Sequence, residues 1–248
     1  MYQITVVALL PKLIDSVFLH GVVGRGLESG LLGIDYLSPR DFTTDQYRSA
    51  DDRPYGGGPG MVLKYEPIRD AIRAARLTLP AGSPALMLSA HGRLFDQRMA
   101  NELAAGPGML LVAGRYEGVD ERVIESELSK EVSLGNYVIS GGELAAAVVI
   151  DAVARLLPGV LGDPASFEQD SFMDRLLDYP QYTRPEVIDG MRVPEVLMKG
   201  NHEAIRRWRL KHSLGRTWLY RPALLETAHL TEEERVLLDE FKAEHKPL

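Results

Sequence analysis

Residues 109–123 read MLLVAGRYEGVDERV: an apolar run ends at Gly114, and Arg115, Tyr116, Glu117, Gly118, Asp120, Glu121 and Arg122 follow almost at once. A strand ending this way delivers a phenol, carboxylates and guanidinium groups to a loop free enough to close round a ligand. Two more glycine-dense loops stand elsewhere, DDRPYGGGPGM (51–61) and LGNYVISGGEL (134–144), where Gly135, Gly141 and Gly142 flank a predicted short apolar strand. One such loop is what an ordinary tight turn or surface loop needs. Two strand-to-glycine exits from one parallel sheet suit a ligand crevice at the carboxyl ends of the strands. Glu117 is the loop acid best placed to face a ligand.

Two other charged residues carry possible chemistry. Arg155 falls in AVARLLPG, where apolar neighbours make an idle arginine costly. It could pair with Asp151 four residues earlier, or bind a phosphate or a developing oxyanion. Asp170, in EQDSF, reads on composition alone as a solvated acid. Several chemistries lack their residues. There is no cysteine, so disulfide frameworks and thiolate metal sites are excluded. No G-x-G-x-x-G opens a helix, no G-x-x-x-x-G-K-[ST] occurs, and neither H-E-x-x-H nor G-x-S-x-G is present. The six histidines are scattered, so no metal site is expected.

The elements that must position these loops alternate through the first two-thirds. Strands are predicted over 3–10, 32–38, 85–89 and 109–114. Helices are predicted over 64–77 and after Asp96, an N-cap, with Gly106-Pro107 stopping the latter. Near-continuous apolar strands separated by helices predict an α/β fold with a parallel sheet covered on both faces. Residues 144–157 predict a helix apolar nearly all round, closed by Pro158-Gly159 and buried on every side, which a subunit interface would accomplish. From Gly162 to about Arg175 periodicity fades and a mobile linker is expected. Helices dominate beyond it, one capped by Asn201 through Leu214 and another opened by a capping box at Thr231–Glu234.

The formal net charge is −7 over 248 residues, which on average argues against nucleic acid. The average conceals a patch: residues 199–221 hold seven basic residues against the single acid Glu203, interleaved with Trp208, Trp218 and Tyr220. That pattern favours a polyanion. The N-terminus reads as a first strand rather than a leader, and the most apolar stretch is too short to span a bilayer, so a cytoplasmic protein with no membrane partner is expected.

These segments together resemble the TrmD family of bacterial tRNA (guanine-N1)-methyltransferases. The resemblance is carried along the chain by SPRDFT (38–43), DDRPYGGGPGM (51–61), GRYEGVDER (114–122), SGGEL (140–144), IDAVARLLPGVLG (150–162), DSF (170–172), LLDYPQYTRPEV (176–187) and RRWRLKHSLGRTWLYRP (206–222). It implies a SPOUT-type α/β parallel sheet with a deep trefoil knot, plus a small helical C-terminal domain. The implied boundaries are 1–161 for the methyltransferase domain, 162–175 for the linker and 176–248 for a tRNA-binding domain. It implies a homodimer whose active site is shared between subunits, S-adenosylmethionine as cofactor, and Mg2+. The implied substrate is tRNA with guanine at position 37, 3′ of the anticodon and preceded by guanine 36.

Carried over residue by residue, the resemblance implies a cofactor pocket of Leu88, Ser89, Gly114, Tyr116, Glu117, Leu134, Gly135, Asn136, Tyr137, Val138, Ile139, Gly141 and Gly142, with Asp178 near the methionine amino group. Asp170 becomes the general base for guanine N1 and Arg155 the stabiliser of charge on O6. Gly114 is expected where a Cβ would meet the adenosine, and Asp120, Glu121 and Arg122 become scaffolding. Arg206, Arg207, Arg209, Lys211 and Arg216 are the implied tRNA contacts. The chain departs from the family pattern at Ala90-His91 for Pro-Gln, at Asn136 for an acid, at Ala145 for proline, and at Met173-Asp174-Arg175 after DSF. None removes an implied catalytic group. A methylase of another RNA site, or a catalytically silent RNA-binding protein of the same fold, are the rival readings; the second has no use for Asp170, Arg155 and intact loops.

Overall fold

The computed structural model describes residues 1–162 and 170–245. Residues 163–169, about half of the predicted linker, and 246–248 lie outside them. The chain divides into two compact units, Met1–Pro164 and Ala165–Leu248.

The first unit is built on a sheet. Its strands are β1 (Tyr2–Val7), β2 (Leu32–Leu37), β5 (Ala85–Leu94), β6 (Gly108–Ala113) and β7 (Lys130–Ser133), all parallel, in the spatial order β2-β1-β6-β5-β7. A short antiparallel pair, β3 (Asp51–Asp52) and β4 (Val62–Leu63), brackets the first glycine loop. Parallel pairing requires cover on both faces. Met109, Leu111 and Ala113 of β6 join one cluster, packed with α1 (Lys12–Asp15), α2 (Gly21–Glu28), α4 (Gln97–Ala104) and α6 (Gly142–Ala154). Leu110 and Val112 join the other, under α3 (Tyr65–Thr78) and α5 (Glu121–Glu127). Every residue of β6 is therefore buried, which is why it reads as an unbroken apolar run.

The helix signals act as expected at their starts. The Asp96 side chain accepts a hydrogen bond from Met99 N at 2.8 Å and caps α4, which ends at Ala104 before Gly106-Pro107. One strand was missed and one expected strand needs correction. Strand β7 escaped prediction because it is a four-residue strand at the sheet edge in which only Val132 and Ser133 are buried. The predicted apolar strand within 134–144 is irregular chain instead, with Val138 97% exposed, because the segment leaves the sheet beyond its last strand. Within one protomer, helix α6 leaves Leu144 and Val148, four residues apart, as an open apolar stripe at 45% and 52% exposure, the part of its surface that the expected subunit interface would have to cover.

The second unit contains α7 (His202–Tyr220), α8 (Pro222–Glu226) and α9 (Glu232–Glu244). Asn201 caps α7 by accepting from Ala204 N at 3.1 Å, and the helix runs six residues beyond the predicted Leu214. Thr231 and Glu234 complete the capping box of α9. Leu214, Leu237 and Leu238 form the small core between these helices. Gly215 lets them approach, since a Cβ there would lie 2.3 Å from the Phe241 ring. A short hairpin, β8 (Val187–Ile188) with β9 (Met191–Arg192), was hidden from helical periodicity by its two-residue strands. Among the described residues no helix is long and apolar enough to cross a membrane.

Candidate active site

The sheet sets three loops side by side. Leu88 of β5 is in register with Ala113 of β6 on one flank and Val132 of β7 on the other. The chain therefore leaves the same sheet edge at Ser89, Gly114 and Leu134, the crevice position of an open α/β sheet. Strand β5 then resumes: Leu88 and Arg93 both pair with Val132, so residues 89–92 bulge outward between them. Ser89 Oγ accepts from His91 N within this bulge at 3.1 Å. Gly92 returns the chain so closely that a Cβ would lie 2.2 Å from Val132 N.

The loop after β6 is held from two directions. Gly114 O accepts from Gly142 N at 2.7 Å, tying it to the start of α6, and Glu117 N donates to Met61 O at 3.0 Å, tying it to the first glycine loop. Leu63 N donates to Gly118 O and Asp120 N to Leu63 O, both at 3.0 Å. The Glu117 carboxylate lies over Gly60, where a Cβ would come 2.3 Å from Oε1. Tyr116 holds a left-handed φ of +57° and is 55% exposed, a strained conformation of the kind concentrated at ligand clamps. Asp120 caps α5 through Arg122 N, and its hydrogen bond to the Arg122 guanidinium holds its carboxyl below the usual range.

The structure also says what these glycines accommodate. The atom nearest a Cβ on Gly114 is Met87 Cε at 2.7 Å, so the crowding there comes from the protein itself. A Cβ on Gly142 would lie 2.7 Å from Ala113 Cα, and one on Gly141 would meet Glu143 and Arg115. Both glycines are buried, whereas Asn136, Tyr137, Val138 and Ile139 are exposed and Leu134 and Gly135 are partly so.

Sequence reasoning missed the pair beneath these loops. Arg115 Nε donates to both carboxylate oxygens of Glu143, at 2.9 and 3.0 Å, and Leu10 N donates to Glu143 Oε1 at 3.2 Å. The Glu143 side chain is wholly buried. The available signal was an acid directly after two glycines at a helix start, which reads equally well as an exposed partner of the helix dipole.

Arg155 follows the last turn of α6, half-buried, its N bonded to Asp151 O at 3.2 Å. Asp170 and Asp178 belong to the second unit. There Asp178 N donates to Ser171 Oγ at 2.9 Å, and Arg216 donates to Asp178 O at 3.3 Å. Burial, and then the charge of Asp170, raise the Asp178 carboxyl above its ordinary value.

The predicted basic set does not form one free face. Arg206 pairs with Glu203 and Glu233, Arg207 with Glu240, and Lys211 with Glu240 and Glu244. Most of these acids come from α9, outside the 199–221 window, so the charge excess seen along the sequence is largely offset in space. Arg209 turns elsewhere, its guanidinium 4.7 Å from the Tyr179 ring centroid.

Residues 136–140 after β7 and Glu117 after β6 are exposed, leaving backbone groups and a carboxylate open to a ligand. Among the described residues no three His, Asp or Glu side chains converge as metal ligands, so the implied Mg2+ has no protein cage among them.

A family model described as tRNA (Guanine-1)-methyltransferase TrmD matches residues 2–227. The chain is 57% identical over 243 residues to the tRNA (guanine-N(1)-)-methyltransferase of Serratia proteamaculans (strain 568), covering 98% of this chain and 95% of that protein. It is also 57% identical over 244 residues to the enzyme of the same name from Yersinia enterocolitica serotype O:8, covering 98% and 99%.

Proposed function

The chain belongs to the tRNA (guanine-1)-methyltransferase TrmD family, and from that premise we propose that it methylates N1 of guanine 37 in tRNAs carrying guanine 36, using S-adenosylmethionine in the cytoplasm. The observation that carries the reading is the convergence of the loops at Ser89, Gly114 and Leu134 on one edge of the sheet. S-adenosylmethionine supplies an electrophilic methyl group when bound. Leu88, Ser89, Gly114, Tyr116, Glu117 and the 134–142 loop hold it, and Glu117 offers the negative charge that complements its cationic end.

Guanine N1 carries a proton near neutral pH and is a poor nucleophile until that proton leaves. Asp170 accepts it, and Arg155 stabilises the negative charge that spreads to O6. Holding base and donor in line supplies much of the remaining acceleration. Asp178 stands with Asp170 in the second unit and would meet the methionine amino group of the bound donor. The two acids come from one subunit and Arg155 with the loops from the other, within a homodimer. The open apolar stripe of Leu144 and Val148 on α6, which packs with the α1 helix carrying the exposed Leu13, supports such an interface. The same reading has the chain threaded as a trefoil knot between β5 and α6. It is supported by the bulge at 89–92 and by α6 packing back across β6 and β5.

The test is methyl transfer from labelled S-adenosylmethionine to tRNA transcripts differing only at positions 36 and 37. Transfer that requires guanine at both positions is expected. Methylation that survives adenine at position 37 would refute the specificity.

A further inference from the structure

The second unit contains a groove of about 630 Å3 between residues 179–184 and the face of α7 that carries Ile205, Trp208 and Arg209. That volume is in the range that accepts a small organic ligand, about 300–1,000 Å3. Its walls are aromatic. Tyr182 is half exposed with its ring centroid 6.3 Å from that of Trp208, and Trp208 is backed by His212 at 4.1 Å. Its charge is cationic. Glu186, the lining acid, is taken by Arg192, whereas among the described residues Arg184 and Arg209 pair with no carboxylate. Arg206, Arg207 and Lys211 on the same helix are occupied by acids.

We propose that this groove is a stacking subsite for one unpaired base of the RNA substrate, with Arg209 and Arg184 meeting the adjoining phosphates. It rests on the tRNA reading above and deepens it, moving the main contact of this unit from the basic run to the aromatic groove. The 55° tilt between the Tyr182 and Trp208 rings leaves no parallel slot. The base therefore lies on the open face of Tyr182, with Trp208 as the wall behind. Such a platform selects a splayed-out nucleotide rather than a particular sequence, since every base has a π-face.

The experiment measures binding of fluorescently labelled tRNA to the full-length protein by anisotropy, across a salt series. Tyr182→Leu is expected to weaken binding roughly 5- to 100-fold with little change in salt slope, and Tyr182→Phe to bind as wild type does. Arg209→Gln should reduce the slope of log K against log salt by about one phosphate contact. The double variant Arg207→Ala with Lys211→Ala should change far less than Tyr182→Leu. Wild-type affinity in Tyr182→Leu, or an equal loss in the Arg207 and Lys211 double variant, overturns the groove while leaving the methyltransferase reading intact. Because binding is read without turnover, wild-type protein that binds tRNA but transfers no methyl refutes the activity without touching the groove.

Discussion

Arg115 Nε sits 2.9 Å from Oε1 and 3.0 Å from Oε2 of Glu143, a carboxylate with no exposed side-chain surface. This ion pair joins the loop after β6 to the first turn of α6, and Leu10 N, just beyond β1, completes it. Removing one partner of a buried pair strands the other charge, at a cost of about 3–5 kcal/mol. Glu143→Ala is therefore expected to lose roughly that much in urea unfolding, and Glu143→Gln, which keeps an acceptor, distinctly less. Equal stability of both variants with wild type would show that the pair does not hold the loop.

Gly92 and Gly142 make a second prediction. Their Cβ atoms would fall 2.2 Å from Val132 N and 2.7 Å from Ala113 Cα, both backbone atoms that cannot swing aside. Alanine at either position must push strands or α6 apart, with overpacking costs of about 1–3 kcal/mol or more. Gly57, with φ +77° and nothing nearby, would suffer only backbone strain. Thermal melts should rank Gly92→Ala and Gly142→Ala well below Gly57→Ala. Gly142→Ala should also weaken S-adenosylmethionine binding, because it disturbs the Gly142 N to Gly114 O bond.

That contrast shows how far the sequence could be read. Glycine density at 56–60 and 141–142 was visible, but its reasons differ: open turn geometry at Gly56, Gly57 and Gly58, the Glu117 carboxylate over Gly60, the Arg115 and Glu143 side chains at Gly141, and backbone crowding at Gly142. Such a distinction depends on which strand lies beside which, and no local pattern encodes it. The β6 run, the Asp96 cap and the Thr231 box were legible because a few adjacent residues determine each. Strand β7 was not, since at a four-residue edge burial supplies little pattern. Nor was the partnering of Arg206, Arg207 and Lys211, because most of their acids lie some 25 to 35 residues along the chain. Asp170, the proposed base, acquired that role only from the resemblance; its local composition is that of a solvated loop.

Asp178 gives a pH prediction. Burial first, then the Asp170 charge, raise its carboxyl above the unfolded value. A raised carboxylate opposes folding when ionised, and this penalty is complete above the folded pKa. It disappears as pH falls through the folded pKa toward the ordinary Asp value near 4. Asp178→Asn should therefore raise stability at neutral pH and flatten the profile in that acid window. The check is the unfolding midpoint at a series of pH values. A variant that is less stable at neutral pH would show that the hydrogen bonds of Asp178 outweigh its burial.

The proposed proton transfer separates binding from turnover. Asp170→Asn should lower kcat by about two to four orders of magnitude, the usual contribution of a positioned general base. Arg155→Ala should lower it by about two to three orders, as loss of an oxyanion donor does. Calorimetric affinity for S-adenosylmethionine should persist in both, since neither residue belongs to the three loops at the strand ends. Near-wild-type turnover in Asp170→Asn would require a different base.

Sharing of the site between subunits can be read by complementation. Leu144 and Val148 leave an apolar stripe open along α6, and Leu13 is exposed on α1, which packs with α6. Val148→Glu places a charge in that stripe and should yield a monomer in sedimentation, with methyl transfer lost because Asp170 and Arg155 would come from different chains. Chain exchange between inactive Asp170→Asn and Arg155→Ala proteins then offers a gain rather than a loss. In a randomly mixed dimer population half the dimers are mixed, and each holds one site with both residues intact, so about a quarter of wild-type activity should return. If both residues of each site came from one chain, mixing would restore nothing. A dimer with unrestored activity would therefore keep the interface and discard the shared site, whereas recovery is hard to obtain in any other way.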